Sequence, residues 1–219
     1  MAKALIIGAS GGIGRALAGQ AQVQGYKIDT LSRSCDGFEL SDEASVDRHM
    51  SQLDGPYDLI IVATGALEIK GAKPEKSLRS VSGASMAAQF AVNAIGPALV
   101  LRHVPRLLPR DRRAVFAALS ARVGSIGDNR LGGWYSYRAS KAALNQILRS
   151  ASIEIARTHP KAVILGLHPG TVATSFTERY VAKENATHAE RAAEQLMHVI
   201  NQTEETGLFL DYAGRPIPW

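Results

Sequence analysis

Ala4-Leu5-Ile6-Ile7-Gly8-Ala9-Ser10-Gly11-Gly12-Ile13-Gly14 opens the chain and decides its fold. Four apolar residues closed by Gly8 suit a fully buried strand. Ser10 to Gly14 is a glycine-rich turn, and Arg15 to Gln24 reads as a helix that stops at Gly25. Glycine lets the backbone approach a ligand closely, and the free N–H groups at a helix start attract an anion. A pyrophosphate is the natural guest; the alternative is a tight turn with no ligand. The spacing is Gly-x-x-x-Gly-x-Gly, not the commoner Gly-x-Gly-x-x-Gly, because Leu17 occupies the third site. The same residues spell Gly8-x-Ser10-x-Gly12, formally a hydrolase nucleophile elbow. That elbow follows several strands and is succeeded by an acid and a histidine in fixed order, whereas Ser10 follows the first strand. His49, His103, His159, His168, His188 and His198 show no clear acidic partner and no metal-ligand spacing, so surface or packing roles suit them and no metal site is expected.

Outward from this unit, Tyr26 to Ser32 is a second strand, and Phe38 to Leu40 a third, very short one. Ser41-Asp42-Glu43 caps a helix reaching about Leu53, and Asp58 to Ala63 is the strongest strand signal. Residues 65 to 82 are polar and irregular. A helix from about Ala84 to Leu108 follows, with a kink expected at Gly96-Pro97. Then come a strand at Arg113 to Leu119, a glycine-rich loop at Gly124 to Gly133, a helix at Ala142 to Ala156, and a strand at Lys161 to Leu167. A helix at Ala189 to Gln202 and a closing strand and tail from Gly207 complete the chain. Alternation of this kind predicts an α/β fold: a single doubly wound Rossmann-type domain, a parallel sheet with helices on both faces. It covers 1–219, with 1–65 mainly the cofactor half and 84–219 the catalytic and substrate half. Between Ser32 and Phe38 there is no room for a crossover helix, so the second one is reduced to a loop.

The 219 residues suit one domain with a full core, and 46% hydrophobic with 21% charged is an ordinary soluble composition. Net charge is +5. Its dense part, Arg102, Arg106, Arg110, Arg112 and Arg113, lacks the interleaved aromatics of a nucleic-acid patch and reads as the solvated end of a helix. A cofactor with several phosphates suits a mildly basic protein. Cys35 is the single cysteine, which excludes an internal disulfide and a thiolate cluster. The apolar run after Met1-Ala2-Lys3 is too short for a signal or a membrane span, so the expected compartment is cytoplasmic.

Tyr137 and Lys141 lie four apart at the head of the Ala142 helix and share a face. A nearby ammonium favours phenolate and makes a tyrosine useful in proton transfer near neutral pH. Such pairs also occur on solvated helices, so the rest of the chain must decide. At the end of the second strand, an acidic residue would bind a ribose 2′-hydroxyl, whereas an arginine accommodates a 2′-phosphate. Thr30-Leu31-Ser32-Arg33-Ser34 offers Arg33 with the hydroxyls of Ser32 and Ser10, which puts NADP(H) ahead; Asp36 keeps NAD(H) open.

Together these features resemble the short-chain dehydrogenase/reductase family, classical type, over nearly the whole chain. Gly8-x-x-x-Gly12-Ile13-Gly14 matches its cofactor loop, Val92-Asn93 with Gly96-Pro97 its helix-borne asparagine, and Tyr137-Arg138-Ala139-Ser140-Lys141 its catalytic motif. Pro169-Gly170-Thr171-Val172-x-Thr174 matches the segment at the nicotinamide end. The loop from Gly124 to Tyr135 and the tail Ile217-Pro218-Trp219 look like the C-factor and carbonyl-reductase-like branch. The resemblance implies an oxidoreductase in which Tyr137 exchanges a proton with the substrate oxygen as hydride moves. Lys141 would lower the tyrosine pKa and hydrogen-bond the nicotinamide ribose, Asn93 would hold a relay water, and a serine would bind the substrate oxygen. Leu40, Ala63, Thr64 and Gly65 join the cofactor set, and Tyr135 is a wall of the substrate pocket, itself lined by residues 124 to 135 and 175 to 188. Counting back from Gly124, the family's usual serine position is Ala121, with Ser120 one residue early. Side chains alternate along a strand, so that offset turns Ser120 away unless a bulge restores it; Ser120 is the first choice and Ser125 another. The asparagine-rich turn of the family is here Val62-Ala63-Thr64-Gly65. The resemblance further implies a small carbonyl or alcohol substrate and a homodimer or homotetramer, with no nucleic-acid or membrane partner. A different class, an NADP(H)-binding signalling or scaffold protein with little turnover, stays open.

Overall fold

The structure, a computed structural model, describes residues 1–69, 71–174, 180 and 186–219. Six strands, β1 (Lys3–Ile7), β2 (Lys27–Leu31), β3 (Leu59–Val62), β4 (Ala114–Leu119), β5 (Ala162–His168) and β6 (Leu208–Asp211), form one sheet. Its order is β2-β1-β3-β4-β5-β6, and every pairing is parallel. Between the strands run α1 (Gly12–Val23), α2 (Arg33–Asp36), α3 (Glu43–Ser51), α4 (Gly83–Phe90), α5 (Gly96–Leu107), α6 (Tyr135–Ala156) and α7 (Ala189–Gln202). The chain builds outward from β1 to β2 and then crosses back to β3 on the other side. That reversal opens a crevice at the carboxyl ends of the strands, where open α/β sheets bind ligands.

Successive side chains of each strand go to opposite faces, and both faces are covered. Leu5, Ile7, Ile60, Val62, Phe116 and Ile164 pack with Met50 of α3, Val104 of α5 and Leu148 of α6. Ala4, Ile6, Ile61, Ala117 and Leu165 pack on the other side with Leu17 of α1 and with Leu196 and Met197 of α7. Two-sided burial explains why these strands read as unbroken apolar runs.

The structure corrects two expectations and refines a third. Phe38 to Leu40 is no strand: the Glu39 N–H donates to Ser45 Oγ at 3.0 Å, and Phe38 meets the His49 ring edge-on at 5.5 Å. The segment turns into α3, leaving β2 as the sheet edge, where Lys27 and Asp29 discourage further pairing. The irregularity of the long helix lies just before Gly96-Pro97, as a π turn at Ala91–Ile95, while Gly96-Pro97 itself continues in helical conformation. The connection after β2 is the single turn α2, capped by Ser32 Oγ accepting from the Cys35 N–H, while Asp36 accepts from Ser32 N–H at 2.7 Å. Four members of the arginine cluster tie elements together. Arg102 pairs with Glu43 and Asp47, Arg106 donates to the Met50 carbonyl, Arg112 pairs with Asp58, and Arg113 donates to the Ile200 carbonyl.

Candidate active site

A cleft of about 710 Å³ opens where β1, β3, β4 and β5 end. At its first end, Gly11, Gly12 and Ile13 line the wall where α1 begins. The turn is as tight as a backbone allows: a Cβ at Gly14 would sit 2.1 Å from the Gly8 carbonyl oxygen. Among the described residues no side chain caps α1, whose first N–H groups face the cleft end lined by Gly11 to Ile13. Arg33 lines the same end, and Asp36 is engaged with Ser32 N–H and Oγ. Ala63, Thr64 and Gly65, the turn after β3, form the floor; Pro169, Gly170, Val172 and Thr174 form the far wall. Among the described residues the buried Thr64 hydroxyl oxygen has no hydrogen-bond partner. An open helix start, a cationic end and an orphaned hydroxyl fit a dinucleotide carrying phosphates and hydroxyls. Residues 171 to 173 are held by backbone bonds to Thr187.

At the second end stand Tyr137 and Lys141, on one face of α6 and 6% and 3% exposed. The Lys141 ammonium donates to the Leu119 carbonyl at 2.9 Å and lies 6.0 Å from the Tyr137 ring centre. Burial pushes the Tyr137 phenol above its ordinary value of 10.0 and lowers the Lys141 ammonium from 10.5 to about 8. This direction is opposite to the one expected for the tyrosine: desolvation of a nearly enclosed phenol disfavours its charged form. Tyr137 therefore holds its proton at neutral pH.

The head of α6 is fixed by a residue that the sequence left in an irregular stretch. Glu75, 6% exposed, accepts Ser136 N–H at 3.1 Å on one carboxylate oxygen and the Ser136 hydroxyl on the other. Its backbone carbonyl accepts Trp134 N–H at 2.6 Å. Burial pushes the Glu75 carboxyl up, but the Ser136 donors together with Glu75's own backbone N–H outweigh it and the net pKa is lowered. Trp134 adopts φ 51°, a left-handed conformation rare outside glycine, and its ring meets Tyr137 and Tyr180 edge-on at 6.3 and 5.7 Å.

Asn93 is fully buried in the π turn. Its side chain exchanges hydrogen bonds with the Ala66 backbone and donates to Gln89, so it pins the loop after β3 instead of pointing into the cleft. A Cβ at Gly65 would lie 3.2 Å from both Asn93 Oδ1 and Lys141 Nζ, so Gly65 is the wedge between them. Ser120 lines the cleft, but its hydroxyl donates to Asn145 Oδ1 at 2.6 Å. Ser125 is buried and accepts from the Asp128 N–H. Ala121 lines the cleft with no polar group, and beside it stands His168.

Of the expected site residues, Gly12, Ile13, Arg33, Ala63, Thr64, Gly65, Ser120, Tyr137, Lys141, Pro169, Gly170, Val172 and Thr174 line this one cleft. Gly8 and Gly14 shape its turn from behind. Ser10, Ser32, Leu40 and Asn93 are not among the described residues lining it; Leu40 is packed against Gly96. Tyr135 and the loop from 124 to 135 are likewise absent from the described lining, where Ala66, Leu67 and Glu68 stand instead, while Tyr180 lines the cleft from the expected stretch 175 to 188. Residues 175–179 and 181–185, including Phe176, lie outside the described residues. Sequence reasoning missed Glu75 and assigned His168 to packing; the one signal for His168 was its place immediately before Pro169-Gly170.

The sequence profile of the short chain dehydrogenase family matches residues 37–185. The chain is 35% identical over 170 residues to C-signal of Myxococcus xanthus, covering 75% of this chain and 94% of that protein. A short-chain dehydrogenase/reductase from Burkholderia multivorans with bound NADP superposes with a TM-score of 0.83 at 23% identity, covering 100% of this chain and 99% of that one. NADPH-bound carbonyl reductase from chicken fatty liver gives 0.83 at 20% identity, over 99% and 98%. At such identities these two structures share the fold.

Proposed function

The chain belongs to the short chain dehydrogenase family, and from that membership we propose that it is an NADP(H)-dependent oxidoreductase reducing a carbonyl to a secondary alcohol. One observation carries the reading: the glycine turn with Arg33 and the buried Tyr137–Lys141 pair line a single cleft. The phosphate-bearing half of the dinucleotide would lie along Gly11 to Ile13, with Arg33 taking the 2′-phosphate. Engagement of Asp36 by Ser32 supports NADP(H) over NAD(H), because a carboxylate tied to its own turn is a poor partner for a ribose 2′-hydroxyl. A bound reduced nicotinamide supplies a hydride. The chain's own part is to hold the carbonyl and deliver a proton, and the Tyr137 hydroxyl, kept protonated by burial, suits that donor role. Lys141 keeps a positive charge at neutral pH beneath the reacting end. A homodimer working in the cytoplasm completes the reading; the exposed free thiol of Cys35 suits a reducing compartment.

The likeness to C-signal, with the Ser120 hydroxyl engaged by Asn145, favours a second reading, an NADP(H)-binding signalling protein with little turnover. Fluorescence titration with NADPH and NADH, followed by a carbonyl panel read by NADPH absorbance, separates the two. NADPH should bind more tightly, Arg33→Asp should abolish the preference, and Tyr137→Phe should remove turnover while leaving NADPH affinity near wild type. Equal affinities sink the NADP assignment, and binding without turnover on any carbonyl turns the reading to signalling.

A further inference from the structure

A carbonyl oxygen approached by hydride develops negative charge, and donors already in position for it contribute much of the barrier lowering. Among the polar side chains lining the cleft, the Tyr180 hydroxyl is committed to Glu68. Tyr137 delivers the proton. Lys141 is directed at the Leu119 carbonyl, and the Ser120 hydroxyl hydrogen is committed to Asn145. Ala121 has nothing to offer. His168 remains, and among the described residues its ring makes no hydrogen bond. Leu119 and Leu167 are register partners, and Ser120 N–H donates to the Leu167 carbonyl at 2.8 Å, which stands His168 beside Ser120 and Ala121. Its Nδ1 is buried without a hydrogen-bond partner among the described residues, so a donor role falls to the Nε2–H tautomer. Burial, with the Arg122 guanidinium nearby and only partial opposition from Asp211, lowers its pKa to about 4. The ring is therefore neutral near pH 7, with one N–H donor.

We propose that His168 is the second hydrogen-bond donor to the substrate's carbonyl oxygen, in the place where a serine hydroxyl would otherwise serve. This rests on the oxidoreductase reading above. A reduced nicotinamide bound in the cleft would give its hydride to the carbonyl carbon, the Tyr137 hydroxyl would give its proton to the oxygen and be left as phenolate, and His168 would keep its proton while its bond shortens onto the growing charge. His168 thus touches the reacting atoms, and the chain tolerates alanine at position 121 because the donor comes from the end of the neighbouring strand.

The test uses 2,3-butanedione as carbonyl probe, with NADPH affinity measured separately for every variant. His168→Leu should lower kcat/KM by roughly 10²-fold, the usual effect of removing one such donor, with NADPH affinity within about twofold of wild type. His168→Gln, which retains an N–H, should recover part of the loss. Adding Ala121→Ser to His168→Leu should restore about tenfold or more by returning a hydroxyl to the same oxygen. His168→Leu with wild-type kcat/KM, or a loss carried wholly by NADPH affinity, overturns the proposal, as does a double variant no better than His168→Leu. A wild type that binds NADPH yet reduces nothing removes the oxidoreductase reading and this proposal together. An active wild type with a dead Tyr137→Phe and an intact His168→Leu removes the proposal alone.

Discussion

Lys141 holds an ammonium at 3% exposure with one hydrogen bond, to the Leu119 carbonyl. The fall of its pKa from 10.5 to about 8 corresponds to a destabilisation of the fold of about 3 kcal/mol while the group is charged. The sign follows from proton counting. Between pH 8 and 10.5 the unfolded chain keeps the proton that the native state has released, so wild-type stability rises with pH across that window. Lys141→Met removes the buried charge, so the variant's melting temperature relative to wild type should be highest at pH 7 and fall as the pH approaches 10. A difference that stays flat would show that Lys141 is not strained by burial. The spacing of Tyr137 and Lys141 in the sequence suggested their partnership, but not that burial would dominate both titrations. Desolvation depends on everything packed around α6, from Leu119 on β4 to Gly124, and none of that is adjacent in the chain.

At the level of elements, the hydrogen bonds from Glu75 hold the head of α6, on which Tyr137 sits. Glu75 and Ser136 are 61 residues apart, and no propensity marks a lone acid in a polar stretch as the cap of a distant helix. Its carboxylate satisfies donors at the helix start and opposes the helix dipole favourably. Glu75→Ala should lower stability by about 1–2 kcal/mol, the usual cost of losing an N-cap, and Glu75→Gln by less, because an amide oxygen still accepts from Ser136. Thermal unfolding of both variants checks the order; equal losses would mean that the charge, not the acceptor, matters. The π turn at Ala91–Ile95 was similarly invisible. An inserted residue leaves apolar periodicity nearly intact, and its consequence, Asn93 reaching Ala66, appears only when the loop after β3 is in place.

For the whole molecule, the helical stretch Gly83–Leu107 is long and apolar enough by composition to cross a membrane, yet buries 39% of its most apolar window. Ile95 and Ile153 are each 51% exposed. In the homodimer proposed above, a second copy would cover these residues. Light scattering should give twice the 23.4 kDa chain mass, and Ile95→Glu with Ile153→Glu should shift the protein to monomer; a wild-type monomer would remove the homodimer. The architecture itself was legible along the chain, since burial on two faces forces unbroken apolar strands and a tight strand-to-helix turn forces glycine between β1 and α1. Sequence therefore determined the parallel α/β sheet, the glycine cradle and the Tyr137–Lys141 pair, all of which depend on local spacing and local chemistry. Only the tertiary structure decided that Phe38 to Leu40 leaves β2 as an edge, that the Ser120 hydroxyl belongs to Asn145, and that His168 lines the cleft. Each of those outcomes depends on which atoms compete for one hydrogen bond or one wall of a cavity, and those competitors come from strands and helices far apart in the chain.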